Sequence, residues 1–369
     1  MMTREVRLER LHPAEVRAAM AEAPIAWLPL GALEFHAEHL PFGTDGFAAQ
    51  DIVDRAAQIA GGVVLPWSAV TLGTLRLPWT FRYDHELVEG VLRQTLLQLA
   101  AHGARVVIVH TGHGPLDLNH LIKRVCAEVE GDLRGGDDFR AYGLCYLELN
   151  AALGVGLGTD WPVAVDHGSI METSWVLAME PELVQLERLP QDPDATGIVG
   201  IYGPNPRTRA SGSLGEQQLK GCAALLAERA RDLLAGGRLD PLADLRLFVE
   251  RYWPEPLTVL GRAGGGGEAS LSLRNSAPVS RYLTSLDVQV DGEHIDPAAV
   301  GLVNTTMGEA GQLLIAASLS PETGFYVRRN QDADVRLPLA VEPGSHRVEI
   351  VLGLAGVTST SIESEIVFS

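Results

Sequence analysis

Residues Leu28 to Asp45 read LPLGALEFHAEHLPFGTD. Ile25 to Leu30 is an apolar run of strand length that ends at the turn residue Gly31. Glu34, His36, His39 and Asp45 follow directly. Polar residues massed just past a buried strand are what a parallel sheet delivers at its carboxyl edge. Glu34 and His36 sit two apart, so in extended backbone they point the same way. Two carboxylates and two imidazoles, without a thiolate, suit zinc or manganese at a hydrolytic site that keeps positions open for water. Alone, this pattern is equally a polar loop whose histidines cap turns. Two further segments weigh against that.

Val106 to Gly114 reads VVIVHTGHG. Its apolar β-branched run suits a strand buried on both faces, and glycines flanking His113 let the backbone turn tightly at the strand's end. A helical stretch begins near Leu116. Asp166 to Ser174 reads DHGSIMETS and leads into the helix-like WVLAM, supplying His167 and Glu172. Three segments that end in His or Glu beside glycine are hard to ascribe to packing.

Together these residues resemble the creatininase family, the creatinine amidohydrolases and their relatives. The family pattern near the N-terminus, approximately lPxGsxEqHGpHLPlgTD, matches 28–45 almost position by position. The central pattern NGHGGN, or NGHYEN in creatininases proper, corresponds to TGHGPL. The late pattern HAGExETS corresponds to HGSIMETS. The resemblance spans about residues 5 to 235. It implies a three-layer parallel-sheet α/β domain and a pair of divalent ions, Zn or Mn. Glu34, Asp45 and His113 would hold one ion, and Asp45 would bridge to a second that also takes His36. Creatininases proper complete the second ion with a glutamate two residues after the central histidine, where this chain has Pro115. Relatives with glycine there look to the glutamate of the ETS motif, which makes Glu172 the fifth ligand. The resemblance makes His167 the proton shuttle, and His39 is read as orienting a neighbouring ligand or lining the pocket.

The departures matter as well. Leu116 replaces the family's asparagine and Ile170 a glutamate, which argues against creatininase activity proper but leaves the metal chemistry intact. Between the first two motifs the chain reads PWTFRY over Pro78 to Tyr83. An arginine among aromatics near a site mouth suits a carboxylate, phosphate or polyol face on the substrate. Equally, Trp79 and Phe81 pack at a subunit contact and Arg82 is solvated. His110 and His120 have weaker claims, His120 as a surface or packing residue of a helix. Arg207 or Arg209, in the loop 197–217, is a further candidate for substrate contact, against the reading of a solvated loop arginine.

At 369 residues the chain fits two domains, and a hydrophobic content of 46% is ample for a core. A formal charge of -18 disfavours nucleic acid and anionic membrane surfaces. The three cysteines (Cys126, Cys145, Cys222) are widely spaced, odd in number and free of CxxC motifs, as in a reduced cytoplasmic protein. No signal peptide or membrane-spanning run is expected. Helical periodicity over 46–60, 85–102 and 215–234 alternates with strands near 25–30, 106–110 and 141–148, predicting helices on both faces of a parallel sheet. After about Trp253 the pattern changes. A glycine run, Gly264 to Gly267, precedes segments alternating at period two, such as SLDVQVDG and HRVEIVLG. These predict a small all-β sandwich over 255–369, following the creatininase-like domain of 1–254. The pattern SLRN…LDVQVDGE…PGSHRVEIVLGL resembles the small subunit of bacterial C-glycoside deglycosidases. Otherwise it is an appended oligomerisation or lid module.

Three functions compete. The first is a dinuclear metal hydrolase of a small polar cyclic substrate, at a cyclic amide or related C–N bond. The second is a metal enzyme that opens or cleaves a keto-cyclitol or keto-sugar. The third is a non-catalytic assembly protein. Family resemblance further implies a closed homo-oligomer, often a hexamer.

Overall fold

The structure is a computed structural model that describes residues 4–133, 138–154, 166–252, 258–262, 269–274, 281–304, 314–319, 325–327, 332–337, 344–354 and 357–368. The chain divides into two compact units, Met1–Phe248 and Val249–Ser369. The expected boundary after residue 254 and the run Gly264 to Gly267 lie outside the described residues.

In the first unit β1 (Ile25–Leu30), β2 (Val63–Val64), β3 (Val106–Thr111) and β4 (Arg140–Cys145) form a parallel sheet of order β2-β1-β3-β4. Every residue of β1 and β3 is buried, which accounts for their unbroken apolar runs. α1 (Pro13–Glu22) precedes β1, and α2 (Thr44–Ala60), α3 (His85–Ala101) and α4 (Leu116–Leu133) run between successive strands. α5 (Tyr146–Leu153), α6 (Ile170–Met179), α7 (Gly212–Leu234) and α8 (Ala243–Tyr252) follow. Side chains alternate across the sheet. Leu28, Val107 and Val109 pack with Leu96 of α3 and Leu121 and Val125 of α4. The opposite face meets α2 and α7, and α6 packs on both. The result is the expected three-layer sandwich.

The strand expected over 141–148 stops at Cys145, because Glu148 turns the chain into α5. Its carboxylate accepts the Cys145 backbone N–H at 2.8 Å in a capping box, satisfying a donor that a new helix leaves open. α7 likewise starts three residues before the expected Gly215. There the Ser211 hydroxyl caps it by accepting the Leu214 N–H at 3.3 Å.

The second unit contains β5 (Thr258–Arg262), β6 (Ala269–Arg274), β7 (Arg281–Val290), β8 (Glu293–Ile295), β9 (Gly301–Asn304), β10 (Leu314–Ile315) and β11 (Phe325–Val327). β12 (Asp332–Leu337), β13 (Gly344–Leu354) and β14 (Val357–Phe368) complete it. They build two antiparallel sheets, β10-β9-β12-β6-β5 and β11-β7-β13-β14, with β8 paired to β7. Leu271, Leu302 and Val335 of the first sheet share one core with Val288, Ile350 and Ile366 of the second. Period-two alternation is visible in β13, where Val348, Ile350 and Leu352 are buried.

Candidate metal centre

The carboxyl ends of β1 and β3 and the first turns of α2 and α6 converge on one buried cluster. After β1, Gly31 lets the chain pass against α2: a methyl there would lie 2.4 Å from Gly46 Cα. The segment beyond it carries Glu34 and His36, and α2 brings Asp45 in its first turn, where a helix N-terminus favours a carboxylate. After β3, the Thr111 hydroxyl donates to the His113 carbonyl at 2.9 Å and accepts the His113 N–H at 3.0 Å, clamping the turn. Asp166 holds the start of α6 by accepting the N–H groups of Ser169 and Met171 at 2.8 and 2.7 Å. Glu172 sits in that helix's first turn and accepts the Gly168 N–H at 2.5 Å.

Asp45 is the centre of the cluster. Its Oδ1 lies 2.9 Å from His36 Nε2 and its Oδ2 2.9 Å from His113 Nδ1. Glu172 Oε2 is 3.4 Å from His36 Nε2, and Glu34 Oε2 is 3.2 Å from His113 Nδ1. The histidine tautomers follow from their other nitrogens. His36 Nδ1 donates to the Glu34 carbonyl and His113 Nε2 to the Leu72 carbonyl, each at 3.0 Å. A carbonyl can only accept, so the ring nitrogens that face the carboxylates present lone pairs. Two imidazole lone pairs thus confront three buried carboxylates, and only a proton or a cation can lie between such groups. Glu34 Oε2, His36 Nε2 and Asp45 Oδ2 have no hydrogen-bond partner among the described residues. Such orphans are costly unless something positive meets them. The donor set of oxygen and imidazole nitrogen fits Zn or Mn, and two overlapping groups, Glu34–Asp45–His113 and His36–Asp45–Glu172, share Asp45.

The electrostatics carry the same strain. Burial pushes the Glu172 carboxyl well up and raises that of Glu34. Burial works against charge on His36, yet Asp45 and Glu172 beside it hold its pKa well above the ordinary value. Burial also opposes ionisation of Asp45, but the two imidazoles depress its pKa below the usual carboxylate range.

The remaining candidates fall in different places. The His167 ring lies 4.2 Å from that of His36, and its Nε2 donates to the Phe35 carbonyl at 3.0 Å. Burial, above all, pushes its pKa well down. His39 is buried and shares a 2.9 Å hydrogen bond with Thr173 Oγ1, so it braces the ligand loop against α6 one residue from Glu172. Trp79 is 80% exposed with a left-handed φ of 59°, and Phe81 and Arg82 are also exposed. Their loop is tied down by Phe81 N–H on the Leu33 carbonyl and Thr80 Oγ1 on the Phe35 N–H. Trp79 lines an open cavity of about 570 Å³ with Phe35, Phe42, Leu189 and Val199, and Arg82 does not line it. Arg207 is spent on the Leu186 and Leu189 carbonyls, at 2.6 and 3.0 Å, as a brace of its own loop. His110 and His120 are buried, and neither belongs to the groups that could hold a metal ion.

Tyr146 carries no sequence signal of its own. It is buried, its ring packs edge-on against Trp175 at 5.0 Å, and its hydroxyl lies 3.1 Å from where a Gly114 methyl would sit. It therefore spaces the His113 turn from the helix that carries Glu172. The Leu72 carbonyl and the Leu75 N–H, which donates to Glu34 Oε1 at 2.5 Å, act through backbone alone.

The family model for creatininase, creatinine amidohydrolase, matches residues 9–229. The chain belongs to the creatininase family. A creatinine amidohydrolase from Pseudomonas putida is 28% identical over 245 residues, spanning 59% of this chain and 92% of that protein. The crystal structure of a creatinine amidohydrolase (creatininase) superposes with a TM-score of 0.53 at 24% identity, over 61% of this chain and 96% of the other. A creatininase variant of zinc–zinc type and a manganese creatininase superpose with TM-scores of 0.53 and 0.52, each covering 62% of this chain and 98% of theirs. As a creatininase-family protein the chain is a hydrolase. Among the described residues no helix is long and apolar enough to cross a membrane.

Proposed function

We propose that the chain is a dinuclear, metal-dependent hydrolase of a small polar cyclic substrate, cleaving a cyclic amide or related C–N bond. The observation that carries this reading is the Asp45 carboxylate, whose two oxygens face two imidazole lone pairs. Glu34, Asp45 and His113 would hold one divalent ion and His36, Asp45 and Glu172 the other. Zinc or manganese is favoured by the donor set and by the metals of the structural relatives. Such ions supply a water of near-neutral pKa and polarise the carbonyl it attacks. Creatinine, which names the Pseudomonas putida relative, is itself a cyclic amide.

His167 moves the proton. Its Nε2–H is tied to the Phe35 carbonyl, so exchange takes place at Nδ1. Neutral at rest, it would take a proton from the attacking water at Nδ1 and, because burial disfavours its charged form, pass that proton on to the leaving nitrogen. His39 keeps the ligand loop in register with α6 through Thr173. The three buried cysteines suit a reducing cytoplasm, and family resemblance favours a closed homo-oligomer, which light scattering measures.

Metal analysis of wild type and Asp45→Ala tests the centre. Wild type should carry up to two ions and the variant neither, and full retention by the variant would sink the proposal. A panel of lactams, formamides and keto-inositols with added Zn²⁺ or Mn²⁺ then names the bond. Turnover of keto-inositols alone would favour the ring-opening alternative, and no turnover of any kind the non-catalytic one.

A further inference from the structure

The chain has two lysines, and one of them, Lys123 in α4, is buried. Its Nζ lies 2.8 Å from Glu148 Oε1, donates to the Gly143 carbonyl at 2.9 Å and stands 5.8 Å from the centre of the Tyr142 ring. Glu148 is wholly buried. Its other oxygen, Oε2, accepts the Cys145 N–H and the Asn119 side-chain amide, each at 2.8 Å. One carboxylate thus joins α4, the end of β4 and the start of α5. A buried ion pair adds little stability over apolar residues of the same volume, because both charges must leave water. The pair calls for a role other than stability.

Both groups that donate to Glu148 Oε2 lead to His113. The Cys145 thiol donates to the His113 carbonyl at 3.6 Å, the same oxygen that receives the Thr111 hydroxyl at 2.9 Å. Thr111 and Cys145 are themselves paired across β3 and β4. The Asn119 N–H donates to the Pro115 carbonyl at 3.2 Å, two residues beyond His113. The turn is therefore held from β4 at His113 itself and from α4 at Pro115, and Glu148 fixes both supports.

We infer that Glu148, neutralised by Lys123, is a positioning residue for His113 and sets the affinity of one of the two ions, that of Glu34, Asp45 and His113. This rests on the dinuclear reading proposed above. Neither Lys123 nor Glu148 belongs to a group that could hold a metal ion. Glu148 acts by fixing the backbone that carries the imidazole, and Lys123 by letting a carboxylate stay buried there. The ion of His36, Asp45 and Glu172 hangs on other elements, the segment after β1 and the first turns of α2 and α6. Outer partners of metal ligands typically change affinity 10- to 100-fold.

Stepwise zinc titration of the full chain against a chromophoric chelator separates the two ions without turnover. Lys123→Met/Glu148→Gln keeps an oxygen for both N–H groups, whereas Lys123→Met/Glu148→Leu removes it, and the two variants carry the same charge. The glutamine variant should titrate close to wild type. The leucine variant should lose about 10- to 100-fold in one step and keep the other. Equal loss in both steps would reveal a merely structural role and overturn the inference, as would wild-type titration of the leucine variant. Asn119→Ala keeps both charges and cuts one of the two bonds, so it serves even if the leucine variant does not fold. It should weaken the same step several-fold, and an unchanged titration overturns the inference. The dinuclear reading fails separately, by a wild type that takes up one zinc or none.

Discussion

Gly112 lies directly against the backbone of Asp45: a methyl on its Cα would stand 2.2 Å from the Asp45 carbonyl oxygen. The turn that delivers His113 and the helix that delivers Asp45 therefore touch where only hydrogen fits. Gly112→Ala must push one ligand away from the other. Overpacking of this kind costs about 3 kcal/mol when backbone has to yield. The expected result is a lower melting temperature together with weaker metal binding in a zinc titration. Gly131→Ala, in α4 with nothing within 4 Å, is the control and should stabilise by about 0.5–1 kcal/mol. If Gly112→Ala keeps full metal affinity, the two elements are less tightly coupled than this contact implies.

His167 separates proton transfer from metal binding. Its ring nitrogens also fall within reach of Glu34 and His36, so a ligand role is the alternative to be tested. His167→Ala should keep its ions and lose turnover by a factor of about 10² to 10⁴. Metal analysis beside the rate measurement distinguishes the cases, since a variant purified without metal identifies His167 as a ligand.

Much of this site is legible in sequence, because Glu34, His36, Asp45, His113 and Glu172 each follow a strand run or a glycine turn. Their convergence is set by the strand order β2-β1-β3-β4, which local pattern does not contain. Tyr146 is hidden for a different reason. YLEL continues the apolar RAYGLC, and only the hydrogen bond from the Cys145 N–H to Glu148 shows where strand becomes helix. Leu72 and Leu75 act through backbone groups, which leave no residue signature. The solvent exposure of Trp79 and Arg82 depends on tertiary placement, so aromatic spacing alone left two readings open.

Buried histidines make stability fall in mild acid. His39, His110 and His120 are each pushed down to about 4, chiefly by burial, with His36 adding to the effect on His39 and Lys123 to that on His120. An unfolded histidine titrates near 6.5. Between these values the unfolded chain binds protons that the folded chain refuses, so this contribution is whole above about 6.5 and lost as pH falls towards 4. Raised carboxyls such as Glu34 and Glu172 act in the opposite sense, and a difference measurement removes them. His110 Nδ1 donates to the Leu144 carbonyl at 3.2 Å, a bond the amide of His110→Asn can replace. Melting curves of metal-stripped protein from pH 7.5 to 4.5 should show a shallower decline in the variant than in wild type. Parallel curves would mean that His110 titrates in the fold as it does in solution.

The domain boundary has a measurable consequence through Asp244. This buried carboxylate accepts from Tyr142 Oη at 2.9 Å and from Arg229 Nη2 at 3.1 Å, so α8 is tied to β4 and α7. A chain ended after Pro254 keeps that anchor, whereas one ended after Asp240 loses the carboxylate that a tyrosine hydroxyl and a guanidinium share. Breaking a buried charged pair from one side costs about 3–5 kcal/mol. The 1–254 chain should therefore be soluble, bind metal and melt cooperatively, because its sheet, its helices and all five proposed ligands lie before the cut. The 1–240 chain should melt lower or aggregate, and Asp244→Ala in the full chain should show the same loss of stability. Insolubility or loss of metal in the 1–254 chain would mean that the α/β unit depends on the β unit for its fold.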